Sequence, residues 1–326
     1  MDLDVVFLGT AGSAPTASRG ASATLLRRGG DRLLVDCGEG TQRQLLRSDA
    51  GLVDLEHVFL THLHADHVLG LPGMLKTFAL RGRELPITVH GPRGTRALLQ
   101  SLGMVIGRLT YPLDVDELGP GAVVDRGDYR IEAFAVAHGR SAVGYALREE
   151  GRPGRFDVAA ADSLGVPDGP PRGALQRGEP VTLDGGRVVR PEDVLGPPRR
   201  GRSIVLTGDT APARSVVEAA AGADVLVHEA TFLAEERDRA QETDHSTAED
   251  AAIVARDAGV VLLALTHLSA RYAGAEVAEE AMRHFTPTVV PRDFDVVDVP
   301  LPERGQPELV ERAGRRARRQ DVGSEA

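Results

Sequence analysis

An apolar run, Val58-Phe59-Leu60, passes through Thr61 directly into His62-Leu63-His64-Ala65-Asp66-His67, so four potential metal ligands fall within six residues where a buried strand should end. Packing gives no reason for such a cluster. If the strand continues to Thr61, side-chain alternation puts His62 and His64 on one side, where a single ion can take both. Asp66 and His67 follow a small residue, Ala65, at which the chain can turn and present a second, carboxylate-containing ligand set beside the first. Two ions become possible. A mononuclear zinc site, with three protein ligands and a water, is an alternative that the spacing leaves open. A solvated polar loop accounts for one histidine better than for three histidines and an aspartate together.

The arrangement recurs along the chain. Four further apolar segments end in His or Asp: Val136-Ala137-His138, Thr207-Gly208-Asp209, Val227-His228-Glu229 and Thr266-His267. Ligands of open α/β sheets gather outside strand ends, so one edge of the domain should collect these groups. The strands read at 4–8, 23–26, 32–35, 58–61, 87–90, 130–137, 143–147, 203–207, 224–227 and 261–265, with helices at 41–46 and 69–80. In the second helix Leu71, Met74, Leu75 and Phe78 recur at helical spacing and should face the core. Asp36, at a strand end beside Gly38, is either a ligand or a carboxylate that orients a metal-bound histidine. Ser246 with Glu249 reads as a capping box for a helix through Ala258, which fixes His245 at that helix's N-terminus. His90 reads as a structural turn residue, and His57 and His284 as surface or core residues.

Composition narrows the class. The 326 residues are 42% hydrophobic, ample for a core, and the sole cysteine, Cys37, excludes an internal disulfide and a thiolate metal cluster. No window approaches 18 uninterrupted apolar residues and the N-terminus lacks a signal-peptide pattern, so a cytoplasmic protein with no membrane partner is expected. A net charge of −10 excludes coating nucleic acid through bulk positive charge, though not a local basic patch. Residues 150–202 change character: Gly and Pro are dense, apolar periodicity is nearly lost, and arginines recur at 152, 155, 172, 177, 187, 190, 199, 200 and 202. This reads as an insertion, either a disordered linker or a protruding basic arm for an extended anionic ligand. After last strands that end near Val299, the Pro/Glu/Arg-rich tail with Arg312, Arg315, Arg316, Arg318 and Arg319 reads as frayed or weakly helical surface.

Several segments together carry a family resemblance: Leu34-Val35-Asp36-Cys37-Gly38-Glu39-Gly40-Thr41-Gln42, H-x-H-x-D-H at 62–67, His138-Gly139 with Gly144-Tyr145, Gly208-Asp209-Thr210, H-E-A-T at 228–231, His245-Ser246-Thr247, and Thr266 through Tyr272. From residue 3 to about 298 the chain resembles the ribonuclease Z family of the metallo-β-lactamase superfamily. The H-x-H-x-D-H stretch alone resembles the whole superfamily. The resemblance implies an α/β fold, the metallo-β-lactamase αββα four-layer sandwich of two mixed sheets with helices outside. It divides the chain into a first half of that domain at 1–149, an inserted substrate-binding arm at 150–202, the second half at 203–300 and a surface tail at 301–326.

The resemblance also implies a zinc-dependent endoribonuclease that removes the 3′ trailer from precursor tRNA. Metal-activated hydroxide would attack phosphorus, leaving a 3′-hydroxyl on the tRNA and a 5′-phosphate on the trailer. By position, His62, His64 and His138 would hold one zinc, Asp66, His67 and His267 the other, with Asp209 as bridge. This donor set suits two Zn2+ per subunit, with Mn2+ as the other ion it accommodates. Asp66 would orient or deprotonate the attacking water, and His245 paired with Glu229 would protonate the leaving oxygen. Arg271 would contact phosphate, and Val166-Pro167-Asp168-Gly169-Pro170 resembles the Gly/Pro element of the family's arm, assigning Pro167, Gly169, Pro170 and Arg172 to tRNA. The family's usual homodimer, in which one subunit's arm presents tRNA to the other's site, is implied as well. Pro15-Thr16-Ala17-Ser18-Arg19-Gly20 departs from the P-x-K-x-R-N loop of many members, which is associated with sensing a mature CCA end, so the cut's position relative to CCA stays open. The alternatives are a small-ester hydrolase of the same fold, an arylsulfatase or cyclic-nucleotide phosphodiesterase, and a catalytically idle RNA-binding protein.

Overall fold

Alternation along single strands sets the layers. In the strand Leu3–Gly9, Leu3, Val5 and Phe7 face one apolar cluster while Val6 and Leu8 face another, so both surfaces of the strand are buried. The computed structural model, which describes residues 1–52 and 55–311, repeats this in two sheets. The eight-stranded sheet runs, edge to edge, Glu308–Val310, Val296–Asp298, Leu3–Gly9, Ala23–Arg28, Asp31–Val35, Leu55–Phe59, Ile87–Gly91 and Leu113–Glu117. The seven-stranded sheet runs Thr288–Val289, Leu262–Thr266, Val225–Glu229, Ser203–Leu206, Val143–Glu149, Tyr129–Ala135 and Val123–Asp125. Both mix parallel and antiparallel pairs.

Val5, Phe7 and Phe59 of the first sheet meet Tyr145, Leu206 and Val227 of the second in the central cluster. Leu45, Met74, Leu75 and Phe78 bring the helices Thr41–Arg47 and Leu71–Leu80 onto the first sheet's outer face. Val216, Ala251, Ala255 and Val277 do the same for Arg214–Ala219, Ala248–Ala258 and Gly274–Met282 on the second. Helix, sheet, sheet, helix is the αββα order that the resemblance implies.

Local readings differ in places. The helix expected from Leu69 starts at Leu71, after a separate turn Ala65–Val68 that carries Asp66 and His67. Gly70 divides the two because its backbone packs against Gly38: a Cβ there would lie 2.0 Å from the Gly38 carbonyl oxygen. The capping box is Thr247 with Asp250, not Ser246 with Glu249, because the Ser246 hydroxyl donates to the Thr210 carbonyl at 2.6 Å and the helix begins one residue later. In the strand Tyr129–Ala135, Ile131 faces the other sheet while Phe134 faces the helices, so its apolar residues serve two faces. The chain does not finish its strands near Val299: Glu308–Val310 forms an edge strand against Val296–Asp298, and Glu303 pairs with Arg152 and Arg199. The arginines at 312, 315, 316, 318 and 319 lie outside the described residues.

The segment between Glu149 and Arg202 adds no strand to either large sheet. It is not a disordered linker, for it holds the helices Val158–Ser163 and Pro170–Gln176, a hairpin of Val181–Thr182 with Val188–Val189, and a buried cluster of Ala161, Val166, Leu175, Val189 and Val194. Nor is it basic in sum: residues 150–202 set nine arginines against eight acids. Seven of the nine hold ion pairs, among them Arg172 with Asp162 and Asp168.

Its two roots are tied to the sandwich by Glu149. This buried carboxylate receives Arg28 Nε at 2.8 Å and Arg202 Nε and Nη2 at 2.7 Å each, while Arg202 also donates to the carbonyls of Val299 and Met1. Burial raises the Glu149 pKa, but the hydrogen bonds from Arg202 and Arg28 outweigh it and hold the group at about 2. Glu149→Gln leaves two largely buried guanidiniums without their counter-charge and is expected to lower stability by about 3 kcal/mol at neutral pH. Because the folded pKa is depressed, this contribution is complete above the ordinary glutamate pKa and disappears as pH falls toward 2. Urea melts of both proteins at pH 7 and near pH 2 check it: the gap should be present at the first and closed at the second.

Candidate metal centre

Side chains from five strand ends meet at one edge of the sandwich. His62 follows Leu55–Phe59, His138 follows Tyr129–Ala135, Asp209 follows Ser203–Leu206, Glu229 ends Val225–Glu229, and His267 follows Leu262–Thr266. Their possible ligand atoms form overlapping triplets, each within 4.8 Å: His62, His64 and His138; His62, His67 and Asp209; Asp66, His67 and His267. Asp209 Oδ2 lies 3.6 Å from His62 Nε2 and 3.4 Å from the Nε2 atoms of both His67 and His267. Asp66 Oδ2 stands 3.3 Å from His267 Nε2, and His138 Nε2 stands 3.3 Å from His64 Nδ1. His64 is exposed and Asp66 partly so, whereas His62, His67, His138, Asp209 and His267 are buried, which leaves the centre open on the His64 side.

A second set of hydrogen bonds fixes where the ring protons sit. His67 Nδ1 donates to Asp36 Oδ2 at 2.8 Å, His138 Nδ1 to the Asp244 carbonyl at 2.9 Å, His267 Nδ1 to Thr231 Oγ1 at 2.8 Å and His62 Nδ1 to Thr61 Oγ1 at 3.1 Å. Both hydroxyls can accept because each gives its own proton to a carboxylate, Thr61 to Asp36 and Thr231 to Glu229. Four imidazoles therefore carry their proton outward and turn a bare Nε2 lone pair inward. His62 Nε2 and Asp209 Oδ1 are buried with no hydrogen-bond partner. Buried acceptors without donors are costly unless a cation takes them, and this donor set of imidazole and carboxylate is what divalent ions accept. Electrostatics agree. Burial, then the charge on His67, pushes the His62 pKa down to about 2, so this imidazole is neutral. His67 is pulled the other way: burial lowers its pKa, but the charges of Asp209 and Asp36 outweigh it and raise it well above the ordinary value.

Backbone strain concentrates here. Of the five non-glycine residues with positive φ among the described residues, four touch the centre: Asp36 at 61°, Asp244 at 54°, His267 at 58° and Ser13 at 62°. Ser13 donates its N–H to Asp66 Oδ2 at 3.0 Å. The adjacent Gly12 has no room for a side chain, since a Cβ would lie 2.6 Å from the His267 carbonyl oxygen.

Beside the ligand sets, His245 Nδ1 donates to Glu229 Oε1 at 2.7 Å. Glu229 is buried and also accepts the N–H groups of Thr210 and Thr231 and the Thr231 hydroxyl; burial raises its pKa, but the hydrogen bond and charge of His245 outweigh it and hold the group below the usual glutamate value. Burial lowers the His245 pKa, but the bond to Glu229 and its charge prevail and raise it to about 9. Arg271 stands nearby, its guanidinium over the Phe232 ring and its Nε 3.4 Å from Glu236. Pro167, Gly169 and Pro170 are exposed in the 150–202 segment, where Gly169 takes φ 91°, while Arg172 is turned inward onto the Val166 carbonyl and two carboxylates. Three contributors escaped the sequence reading: Thr61, Thr231 and the Asp244 carbonyl. The threonines each adjoin or follow a motif residue, at Thr61-His62 and in H-E-A-T, which is the only signal that could have found them. No helix among the described residues is long and apolar enough to cross a membrane.

Comparison with known proteins gives this geometry a family. A family model described as anti-Pycsar protein Apyc1 matches residues 3–146, less than half of the chain. Ribonuclease Z of Gemmatimonas aurantiaca is 49% identical over 308 residues, covering 93% of this chain and 98% of that protein. Ribonuclease Z of Haloferax volcanii is 51% identical over 275 residues, covering 84% and 86%. Among solved structures, the short form of human tRNase Z superposes with a TM-score of 0.66 at 28% identity, covering 92% of this chain and 99% of that one. With about half its residues identical to ribonuclease Z relatives over most of both chains, on a shared metallo-β-lactamase fold, the chain belongs to the ribonuclease Z family.

Proposed function

We propose that this chain is a metal-dependent endoribonuclease that cuts the 3′ trailer from precursor tRNA in the cytoplasm. The observation that carries the reading is the pair of ligand triplets joined at Asp209 with the His245–Glu229 pair alongside, in a member of the ribonuclease Z family. His62, His64 and His138 would hold one cation and Asp66, His67 and His267 a second, with Asp209 between them and zinc the foremost candidate. Two such ions supply Lewis acidity, acidifying water and neutralising charge on the transferring phosphoryl group.

The chain's own residues supply direction and protons. Asp66, held by the Ser13 N–H, orients the attacking water and takes its proton. His245 presents Nε2 with its other nitrogen fixed on Glu229, and gives a proton to the departing ribose 3′-oxygen, a strong base as an alkoxide. The tRNA thus ends in a 3′-hydroxyl and the trailer keeps the phosphate.

The segment at 150–202 is the substrate arm in this reading, inserted between domain halves at 1–149 and 203–300, and its placement supports a homodimer. It is rooted at Glu149 and Arg202, at the ends of Val143–Glu149 and Ser203–Leu206 farthest from Thr61 and Asp209. Seven strand residues put about 20 Å between the roots and the centre of the same subunit. Such an arm is placed to serve a neighbour. Exposed Leu80, Leu85, Met104 and Val105 offer apolar surface for that neighbour to cover. Since the arm is nearly neutral, its exposed Pro167–Pro170 loop meets tRNA by shape and backbone contact more than by charge, and Arg172 holds the loop.

Three experiments test this. Metal-stripped enzyme should cut end-labelled precursor tRNA only after zinc is restored, leaving a 3′-hydroxyl on the tRNA; turnover of a small phosphodiester or sulfate ester without any tRNA cleavage would replace the reading with a small-ester hydrolase. His245→Ala should slow precursor cleavage about 10²–10⁴-fold while sparing bis(p-nitrophenyl) phosphate, whose leaving group needs no proton. Equal losses on both substrates would remove His245 from the proton transfer. Finally, mixing a 152–200 deletion with His245→Ala should regain activity that neither has alone, because the dead subunit's arm serves the other's centre; no regain would mean that arm and centre act within one subunit.

A further inference from the structure

The 150–202 segment leaves the sandwich through a neck that is poorly built to hold its own direction. Between the roots at Glu149 and Arg202 and the helix Val158–Ser163, the outgoing and returning chains form a thin ribbon. In it Arg152 and Arg199 exchange backbone hydrogen bonds at 2.8 and 2.9 Å, and the Gly196 N–H donates to the Arg155 carbonyl at 2.9 Å. Glycine and proline fill both sides, with Gly151, Pro153 and Gly154 going out and Gly196, Pro197, Pro198 and Gly201 coming back. A lone two-stranded ribbon is marginally stable and twists more than a wide sheet. Charge adds to the difficulty. Arg152 and Arg199 stand directly opposite each other, so their side chains share a face of the ribbon, where like charges repel.

Glu303 answers both difficulties from outside the segment. It lies in the connection between Val296–Asp298 and Glu308–Val310, in a turn closed by the Arg304 N–H on the Leu301 carbonyl at 2.7 Å, and Pro302 presets that turn. Its two oxygens accept Arg152 Nη1 and Nη2 at 2.9 Å each, and Oε1 also accepts Arg199 Nη1 at 2.9 Å. Arg199 Nε meanwhile donates to the Pro153 carbonyl at 3.0 Å, which ties the two sides of the neck together. The hydrogen bond from Arg152 leads in holding the Glu303 carboxyl down at about 2, so it is ionised at neutral pH. An isolated surface pair contributes little, but a bidentate carboxylate shared by two guanidiniums is the geometry in which an exposed ion pair counts. The contact also crosses the layers. The neck leaves strands of the seven-stranded sheet, whereas Glu303 connects two strands of the eight-stranded one, so it gives the segment a third fixed point beyond its two covalent roots.

We propose, resting on the nuclease and arm reading above, that Glu303 is a positioning residue for tRNA: through Arg152 and Arg199 it clamps the neck and holds the arm at the one angle from which it presents precursor tRNA to a metal centre. Glu303 itself touches no substrate. A small phosphodiester needs no arm and is indifferent to the clamp.

The test uses the full enzyme. Glu303→Gln keeps the side chain's size and removes its charge; KM for precursor tRNA should rise about fivefold with kcat held, and hydrolysis of bis(p-nitrophenyl) phosphate should stay at the wild-type level. Glu303→Asp, which keeps the charge, should recover part of the loss. Arg152→Gln/Arg199→Gln should raise KM in the same way, and adding Glu303→Gln to it should cost nothing more, because all three act through one contact. An unchanged KM in Glu303→Gln overturns the proposal. A lower KM overturns it too, since the freed arginines would then bind RNA and Glu303 would only mask them. The arm's bearing can also be read without turnover. Cys37 is buried, so nitroxides attach at Asp184→Cys in the arm and Ser101→Cys on the body, two exposed positions, and labelled subunits diluted with unlabelled ones report the distance between them. The distance distribution should be narrow with Glu303 in place and broaden with Glu303→Gln; equal widths overturn the clamp. A wild type that cuts no precursor while the distribution broadens as expected overturns the nuclease reading instead and leaves the clamp standing.

Discussion

The proton positions on four buried imidazoles hold the active edge together. Each of His62, His67, His138 and His267 gives its Nδ1 proton to a protein acceptor, and the lone pairs of His62, His67 and His267 converge on Asp209 while that of His138 faces His64. Without those outer bonds the rings could rotate or take the other tautomer, and the inward nitrogens would lose their alignment. The acceptors come from distant parts of the chain: Asp36 from the first sheet, Thr231 from the second, and Asp244 from the loop before the helix Ala248–Ala258. Binding competence is therefore a property of the whole sandwich.

This dependence explains the strain. Asp36, Asp244 and His267 adopt a left-handed backbone conformation that a non-glycine residue avoids, at a cost of about 1–3 kcal/mol each. The two large sheets, packed through Phe7, Phe59, Tyr145 and Val227, supply the rigidity that keeps them there. Tyr145 joins the layers directly, its ring edge-on to Phe59 and its hydroxyl on the Leu60 carbonyl just ahead of the ligand run. The same edge holds the His245–Glu229 pair, so the element that aligns the inward nitrogens also aligns the pair proposed for proton transfer.

Much of this was legible because a His or Asp that ends an apolar run breaks the pattern in a way packing does not explain. His62, His138, Asp209, Glu229 and His267 all announce themselves like that, and the structure brings them together. Asp36 could be read only as ligand or support, since one carboxylate at a strand end fits both; its hydrogen bonds to Thr61 and His67 place it behind the ring. Thr61 and Thr231 were nearly silent because a hydroxyl carries no pattern beyond standing next to a motif residue. The capping box slipped by one residue because Ser246 and Thr247 each have an acid three positions on, and a contact 36 residues away at Thr210 decides between them. The 150–202 segment looked unstructured because its elements are two to seven residues long, too short for a period to register.

The proposed dinuclear centre requires two ligand sets that share Asp209. Diffraction from crystals of the purified protein, recorded on both sides of the zinc absorption edge and paired with elemental analysis in solution, tests it directly. Two anomalous peaks and two equivalents of zinc per chain are expected, one peak among His62, His64 and His138, the other among Asp66, His67 and His267, with Asp209 reaching both. A single peak with one equivalent, or a second peak away from Asp66, His67 and His267, would contradict it.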